Sequence, residues 1–201
     1  MAREIKKLKK AKFVYAFGKR TDGDASMREI LGGKGANLAE MALIGLPVPP
    51  GFTLSTEVCG YFYGNSGNYP KGLENEVSKA ISEVEKQQNK GFGDPLNPLL
   101  FSVRSGSRES MPGMMDTILN LGLNDNTVQG LADRTQDARF AWDCYRRFIQ
   151  MYGEVVMGVH SGNDGEPDPF QAQLASLKTK HEILNDDQLC HSDLQELVRR
   201  Y

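Results

Sequence analysis

Leu31-Gly32-Gly33-Lys34-Gly35-Ala36-Asn37-Leu38-Ala39-Glu40-Met41 sets one lysine among three glycines, directly ahead of a run of helix formers. Leu38, Met41 and Ala42 recur at i, i+3 and i+4 and Gly45 stops the run, so the spacing predicts a short helix over 36–41 opened by a glycine loop. Glycines let the backbone approach an anion closely, helix-start amides point at it, and Lys34 adds a mobile positive charge, so the segment suits phosphate. A tight turn carrying an exposed lysine fits the same spacing. The stretch is not a Walker A loop, because no Ser or Thr follows Lys34 and Arg28 stands where the first glycine would be. It is not a dinucleotide fingerprint either, since Leu38 takes the third glycine position.

Around this stretch the first half of the chain reads as strands and covering helices. Phe13, Tyr15 and Phe17 alternate with Val14 and Ala16, which predicts a strand ended by the turn residues of 18–24. Pro47, Pro49 and Pro50 force an extended connection into a second strand over 52–55. Leu73, Val77, Ala80, Ile81 and Val84 place an amphipathic helix over 73–88 that would cover a sheet. Leu99 to Val103, after Pro95 and Pro98, reads as a buried strand that delivers the chain into Arg104.

The second half reads as helical. Ala141, Tyr145, Phe148 and Tyr152 mark one helix from Asp137 onward, and residues 161–169 have linker composition. Ser192 with Gln195 forms a capping-box pattern ahead of an apolar stripe of Leu194, Leu197, Val198 and Tyr201. That stripe meets no C-cap, so the expectation is a helix that would continue past Tyr201. No internal repeat is visible. The predicted class is α+β: an α/β subdomain over 1–110, then a mainly helical subdomain over 111–201, with a linker near 158–169.

The 201 residues carry a formal net charge of -2 and 39% hydrophobic residues, which is ordinary for globular protein. This balance offers no footprint for nucleic acid, and no run approaches the ~20 apolar residues of a membrane span, so neither partner is expected. Arg3, Lys6, Lys7, Lys9, Lys10 and Lys12 form the one basic cluster, without the apolar core of a secretory signal. Cys59, Cys144 and Cys190 lie far apart with no metal-ligand spacing, and reduced thiols are the default.

A second segment suits phosphate. Ser102-Val103-Arg104-Ser105-Gly106-Ser107-Arg108-Glu109-Ser110-Met111-Pro112-Gly113-Met114-Met115-Asp116-Thr117 brings a guanidinium off the end of a predicted strand into hydroxyls and glycines. Such a fork can hold phosphate bidentately, and Gly106 and Gly113 would let the segment fold over a nucleotide. A polar surface loop in which Arg104 and Arg108 pair with Glu109 and Asp116 fits equally well.

Taken together, Gly32 to Met41, Pro49-Pro50-Gly51-Phe52-Thr53, Ser102 to Gly106 and Ser110 to Gly122 resemble the pyruvate phosphate dikinase family. The methionine-rich 111–116 run resembles it more closely than the related phosphoenolpyruvate synthases. Arg139 to Phe148 extends the resemblance to about Met157. It implies an ATP-grasp-like nucleotide-binding subdomain in which ATP, with Mg²⁺, donates its β-phosphoryl group through a histidine on a separate domain. The overall reaction would turn ATP, pyruvate and phosphate into AMP, phosphoenolpyruvate and diphosphate. It further implies Lys34 and Arg104 as ATP-phosphate ligands, with Gly33, Gly35, Ser105, Gly113, Asp116 and Thr117 around them.

The acidic metal ligands, the phosphohistidine domain and the pyruvate-binding barrel of that family have no match here, so no metal ligand and no complete catalytic set is assigned to this chain. His160, His181 and His191 lack the family's Thr-Ser-His-Ala-type context and read as surface histidines. The family runs from Val155-Val156-Met157 into a helical arm, whereas residues 158–169 interrupt it here. The expectation is the ATP-binding part of a dikinase, inactive alone, in the cytoplasm or an organelle and homodimeric when full length. The alternative is a noncatalytic nucleotide-binding or regulatory module of the same fold.

Overall fold

The computed structural model describes residues 12–106, 116–160 and 168–201. The basic cluster up to Lys10, Arg108, Glu109 and Gly113, and linker residues 161–167 lie outside them. The chain forms two compact units, Met1–Gln87 with Gly106–Gly113, and Gln88–Ser105 with Met114–Tyr201.

In the first unit, β1 (Val14–Phe17) pairs antiparallel with β2 (Gly51–Leu54), with Val14 opposite Leu54 and Phe17 opposite Gly51. Between them runs α1 (Arg28–Leu43), and after β2 come α2 (Thr56–Gly64) and α3 (Leu73–Gln88). The amphipathic stripe of α3 does what its spacing predicts: Leu73, Val77 and Ala80 join Val14, Val58, Phe13 and Phe52 in one apolar cluster. The carboxylate of Glu76 on α3 accepts the Phe13 and Val14 amides at 2.9 and 3.2 Å, tying helix to strand. Leu31, Ala36 and Ala39 of α1 form a second cluster with Tyr15, Met27 and Ile30.

In the second unit, β3 (Phe101–Arg104) pairs antiparallel with β4 (Thr117–Leu121). Four helices follow: α4 (Thr127–Thr135), α5 (Ala138–Val155), α6 (Pro169–Lys180) and α7 (His191–Arg200). Asp137 caps α5 by accepting the Phe140 amide at 2.8 Å. One core gathers Leu123, Val128, Ala132, Ala141 and Tyr145, another Leu174, Leu177, Leu189, Leu194 and Leu197, and Trp142 packs against both. Arg146 is buried within this unit, its guanidinium bonded to Asp143 at 2.9 Å and to Gln150 at 3.3 Å.

The α+β class holds, with sheet and helix in both units. Several local expectations change. The strands make two separate two-stranded sheets, and β4 lies beyond the half of the chain where strands were expected. The capping box before α7 is formed by Cys190 and Asp193, two residues upstream of the Ser192 pattern, because the helix starts at His191. Pro169 is the first residue of α6, with Asp168 as its cap, and so begins a helix where linker was expected. None of the helices among the described residues is long and apolar enough to cross a membrane.

Candidate functional site

The glycine-lysine stretch is helical, where the sequence predicts an open loop. Residues Arg28–Leu43 are one helix interrupted at Gly32, whose φ of 67° and ψ of 169° only glycine adopts freely. The segment after Gly32 therefore restarts as a new helix, with Gly33 and Lys34 in its first turn. That keeps the physical feature that made the stretch suit an anion, amides at a helix start, while replacing the loop by a kink.

Gly35 has a structural reason of its own. A Cβ there would stand 2.7 Å from Cγ2 and 2.9 Å from Oγ1 of Thr53, so the glycine lets α1 lie directly on β2. Upstream, Asp24 caps a short turn by accepting the Ser26 amide at 2.8 Å, and Glu40 accepts the Ala25 amide at 3.0 Å. Thr56 Oγ1 donates to the Glu29 carbonyl at 2.6 Å, fastening the first turn of α1 to α2. The kinked helix is thus held at both sides of Lys34. Lys34 itself is half-buried and has no ion-pair partner among the described residues.

In the second unit Arg104 is the last residue of β3, within the strand, and stands opposite Thr117, the first of β4. It is exposed. The loop between the strands is closed at its base by Ser105, whose amide and hydroxyl both donate to the Asp116 carbonyl, at 3.1 and 3.3 Å. Arg104 and Asp116 make no ion pair with one another, and neither has an ionic partner among the described residues. Among the described residues no atom lies within 4 Å of a Cβ built on Gly106. Gly113 lies outside the described residues.

Each candidate cation thus sits on its own element, Lys34 with Gly33 and Gly35 on α1, and Arg104 with Ser105, Asp116 and Thr117 on the hairpin. A cavity of about 370 Å³ between β1 and α3 touches neither group, and its lining includes Lys12, Asp22, Glu76 and Lys79. Asp22 there is held by the Ala16 amide at 3.1 Å, Lys12 at 3.1 Å and Arg20 at 3.5 Å. Burial works against its charge, but these bonds win and keep its carboxyl below the usual aspartate range. Among the described residues no group of three or more His, Cys, Asp or Glu is placed to hold a metal ion. His181, read as a surface histidine, bonds Asp193 through Nδ1 at 2.8 Å.

Sequence reasoning did not single out Asn120. It sits in β4 with a positive φ of 59°, while Cys144, read as a reduced thiol, packs against the core on α5. Burial pushes that thiol up from its ordinary value. The signal that could have found Asn120 is the break it makes in strand alternation, Ile118-Leu119-Asn120-Leu121.

Comparison with known proteins adds a family. The family model described as "Pyruvate phosphate dikinase, AMP/ATP-binding domain" matches residues 28–69 and 65–181. The chain is 50% identical over 192 residues to the chloroplastic pyruvate, phosphate dikinase of Flaveria trinervia, a match covering 94% of the chain and 19% of that enzyme. Against the pyruvate, phosphate dikinase of Rhizobium meliloti it is 50% identical over 192 residues, covering 95% of the chain and 21% of the relative. Against that of Clostridium symbiosum it is 47% identical over 191 residues, again 95% and 21%. The chain spans about a fifth of the length of these curated relatives.

Proposed function

Since the chain belongs to the pyruvate phosphate dikinase family and matches its AMP/ATP-binding domain, we propose that it supplies the phosphate-binding side of an ATP site. The observation that carries this reading is the state of its two motif cations. Lys34 follows the glycine kink in α1, Arg104 ends β3, and neither is neutralised by an acid among the described residues. Of the two acids that a self-paired surface loop would offer Arg104, Asp116 is not paired with it, and Glu109 lies outside the described residues. A guanidinium on a strand end suits bidentate contact with phosphate oxygens.

In this proposal the helix-start amides and Lys34 of the first unit would contact phosphate oxygens, and so, in the second unit, would Arg104 with Ser105, Asp116 and Thr117. Gly33 and Gly35 would keep the backbone close to the anion. The fold would be ATP-grasp-like, an amino-terminal α/β part followed by a mainly helical part. Positioning and charge stabilisation would be its share of phosphoryl transfer. Mg²⁺ would accompany ATP, and no step is assigned to it.

The complete reaction, ATP with pyruvate and phosphate to AMP, phosphoenolpyruvate and diphosphate, would need the histidine-bearing and pyruvate-binding parts of a full dikinase. The 201-residue chain alone is expected to turn over nothing. Relatives named as chloroplastic and relatives from bacteria fit a cytoplasmic or organellar setting.

Calorimetric titration with Mg-ATP tests the reading. Loss of the guanidinium in Arg104→Ala removes charge-assisted bonds worth about 1.5–3 kcal/mol, so affinity should fall roughly ten- to a hundredfold. Equal affinity for Arg104→Ala and the parent chain would refute the assignment.

A further inference from the structure

The β3–β4 hairpin is out of simple register, and the slip decides what stands beside Arg104. Phe101 faces Leu121, but two residues later Val103 faces Ile118, three residues back along β4. Leu119 and Asn120 therefore oppose the single residue Ser102, which is a β-bulge on β4. In an unbulged ladder continuing from Phe101 and Leu121, Val103 would face Leu119 and Arg104 would face Ile118. The extra residue instead puts Thr117 opposite Arg104 and Ile118 opposite Val103. A one-residue slip exchanges the two faces of a strand. Here it lets Ile118 be buried at 8% exposure while Leu119 stays at 40%.

The bulge has a definite mechanical support. Asn120 is left-handed, and among residues with a side chain asparagine tolerates that conformation best. Its carbonyl accepts the Leu123 amide at 3.1 Å, and Leu123 is buried in the helical core. The next turn is closed as well, since the buried Thr127 hydroxyl donates to the Gly122 carbonyl at 2.9 Å. The irregular stretch is thus pinned to the helical core on its carboxy-terminal side.

We propose that Asn120, held in the left-handed conformation, is a positioning residue for the candidate phosphate side chains: it sets the register that seats Arg104 beside Thr117. This rests on the proposed ATP-phosphate role of Arg104. Asn120 touches no nucleotide in this account. It acts through the ladder, so that Arg104 and the Thr117 hydroxyl project from one face of the hairpin and can engage the same phosphate. A bulge next to a binding residue that re-aims a side chain is a recurrent use of this irregularity.

The test reads register and affinity separately. Cross-strand backbone NOEs in labelled protein should place Arg104 opposite Thr117 in the parent chain and in Asn120→Gly, since glycine also accepts a positive φ. In Asn120→Val, whose branched side chain resists that φ, Arg104 should move opposite Ile118. Mg-ATP affinity should then fall about tenfold for Asn120→Val, stay within twofold for Asn120→Gly, and fall no further in Asn120→Val combined with Arg104→Ala than in Arg104→Ala alone. Should Asn120→Val not fold, Asn120→Ala, which accepts a positive φ less readily than asparagine or glycine, makes the same comparison. An unchanged register in the variants that remove φ tolerance would overturn the proposal. So would a changed register with unchanged affinity. If Arg104→Ala itself leaves affinity unchanged, the ATP reading fails, and the NOEs still decide whether Asn120 sets the ladder.

Discussion

In the first unit Lys34 rides a helix that a glycine allows to lie flat on β2, whereas in the second Arg104 ends a strand whose partner is bulged and tied to α5. The first support is close packing with little core behind it: its apolar clusters are Val14, Val58 and Leu73, and Leu31, Ala36 and Ala39, each with a few neighbours. The second support is a hairpin of modest burial backed by two larger leucine- and aromatic-rich cores. A cation held by steric fit should be sensitive to single added atoms at the contact. A cation held through a hairpin on a helical core should be sensitive to the core and to the register, and tolerant of change at its own position. Each expectation can be broken.

The largest effect should come from the second unit's core. Leu197 of α7 is fully buried among Leu174, Leu177, Leu189 and Leu194. Leu197→Ala should cost about 3 kcal/mol and lower the melting temperature by roughly 6–12 °C. Hydrogen exchange should show the loss in α5, α6 and α7. Equal loss of protection across β1 and β2 would erase the contrast between the two supports.

A smaller effect should come from Gly35→Ala, where two terms oppose. Alanine in a helix gains about 1 kcal/mol over glycine, but the new Cβ would overlap the Thr53 side chain, and overpacking costs about 1–3 kcal/mol. The net should be destabilising by about 1 kcal/mol in chemical denaturation. Combined with Thr53→Ala, which removes both overlapping atoms, the same change should become neutral or stabilising. If Gly35→Ala is harmless with Thr53 intact, steric fit is not what seats α1.

Arg104→Ala should be almost silent for stability, within ±0.5 kcal/mol, because an exposed side chain without an ionic partner among the described residues carries little of the fold. A thermal shift of several degrees would mean that the arginine is spent on structure, which is the surface-loop reading in another form.

What the sequence made visible follows from how local each signal is. The alternation of β1, the stripe of α3 and the helix from Asp137 onward are set by neighbours within a few residues, and all three match the structure. Gly32 hid the true start of α1, because a glycine run reads as a loop when its flanks happen to be helical. β4 was hidden for a related reason: Asn120 breaks its alternation, and the bulge only makes sense against β3, more than ten residues earlier. At the candidate site the motif cations could be picked from their surroundings in the chain. The packing reason for Gly35 could not, since its partner, Thr53, is distant in sequence.

The finest test of the contrast is a difference in salt response between two aspartates that brace the units. Asp22 accepts from the Ala16 amide and faces Lys12 and Arg20, while Asp193 accepts the Cys190 amide at 2.9 Å and faces His181 at 2.8 Å. For both, burial opposes ionisation and is outweighed, at Asp193 by Cys190 first and then His181, so both carboxyls titrate below the ordinary range. A folded-state value below the unfolded one means stability that is fully present above about pH 4 and is lost as pH falls through the folded value. Asp22→Asn and Asp193→Asn should therefore each cost on the order of 1 kcal/mol near neutrality, and the gap to the parent chain should close in acid, where the parent protonates too. Denaturant melts from pH 7 down to pH 3 read this directly. The support at Asp22 is two exposed cations and one amide, and salt screens exposed charges, so the cost of Asp22→Asn should shrink in molar salt. Asp193 caps α7 from a more buried position, with 10% of its side chain exposed, and its cost should persist in molar salt. Equal salt sensitivity at the two sites would show that both units are braced by surface charge alone.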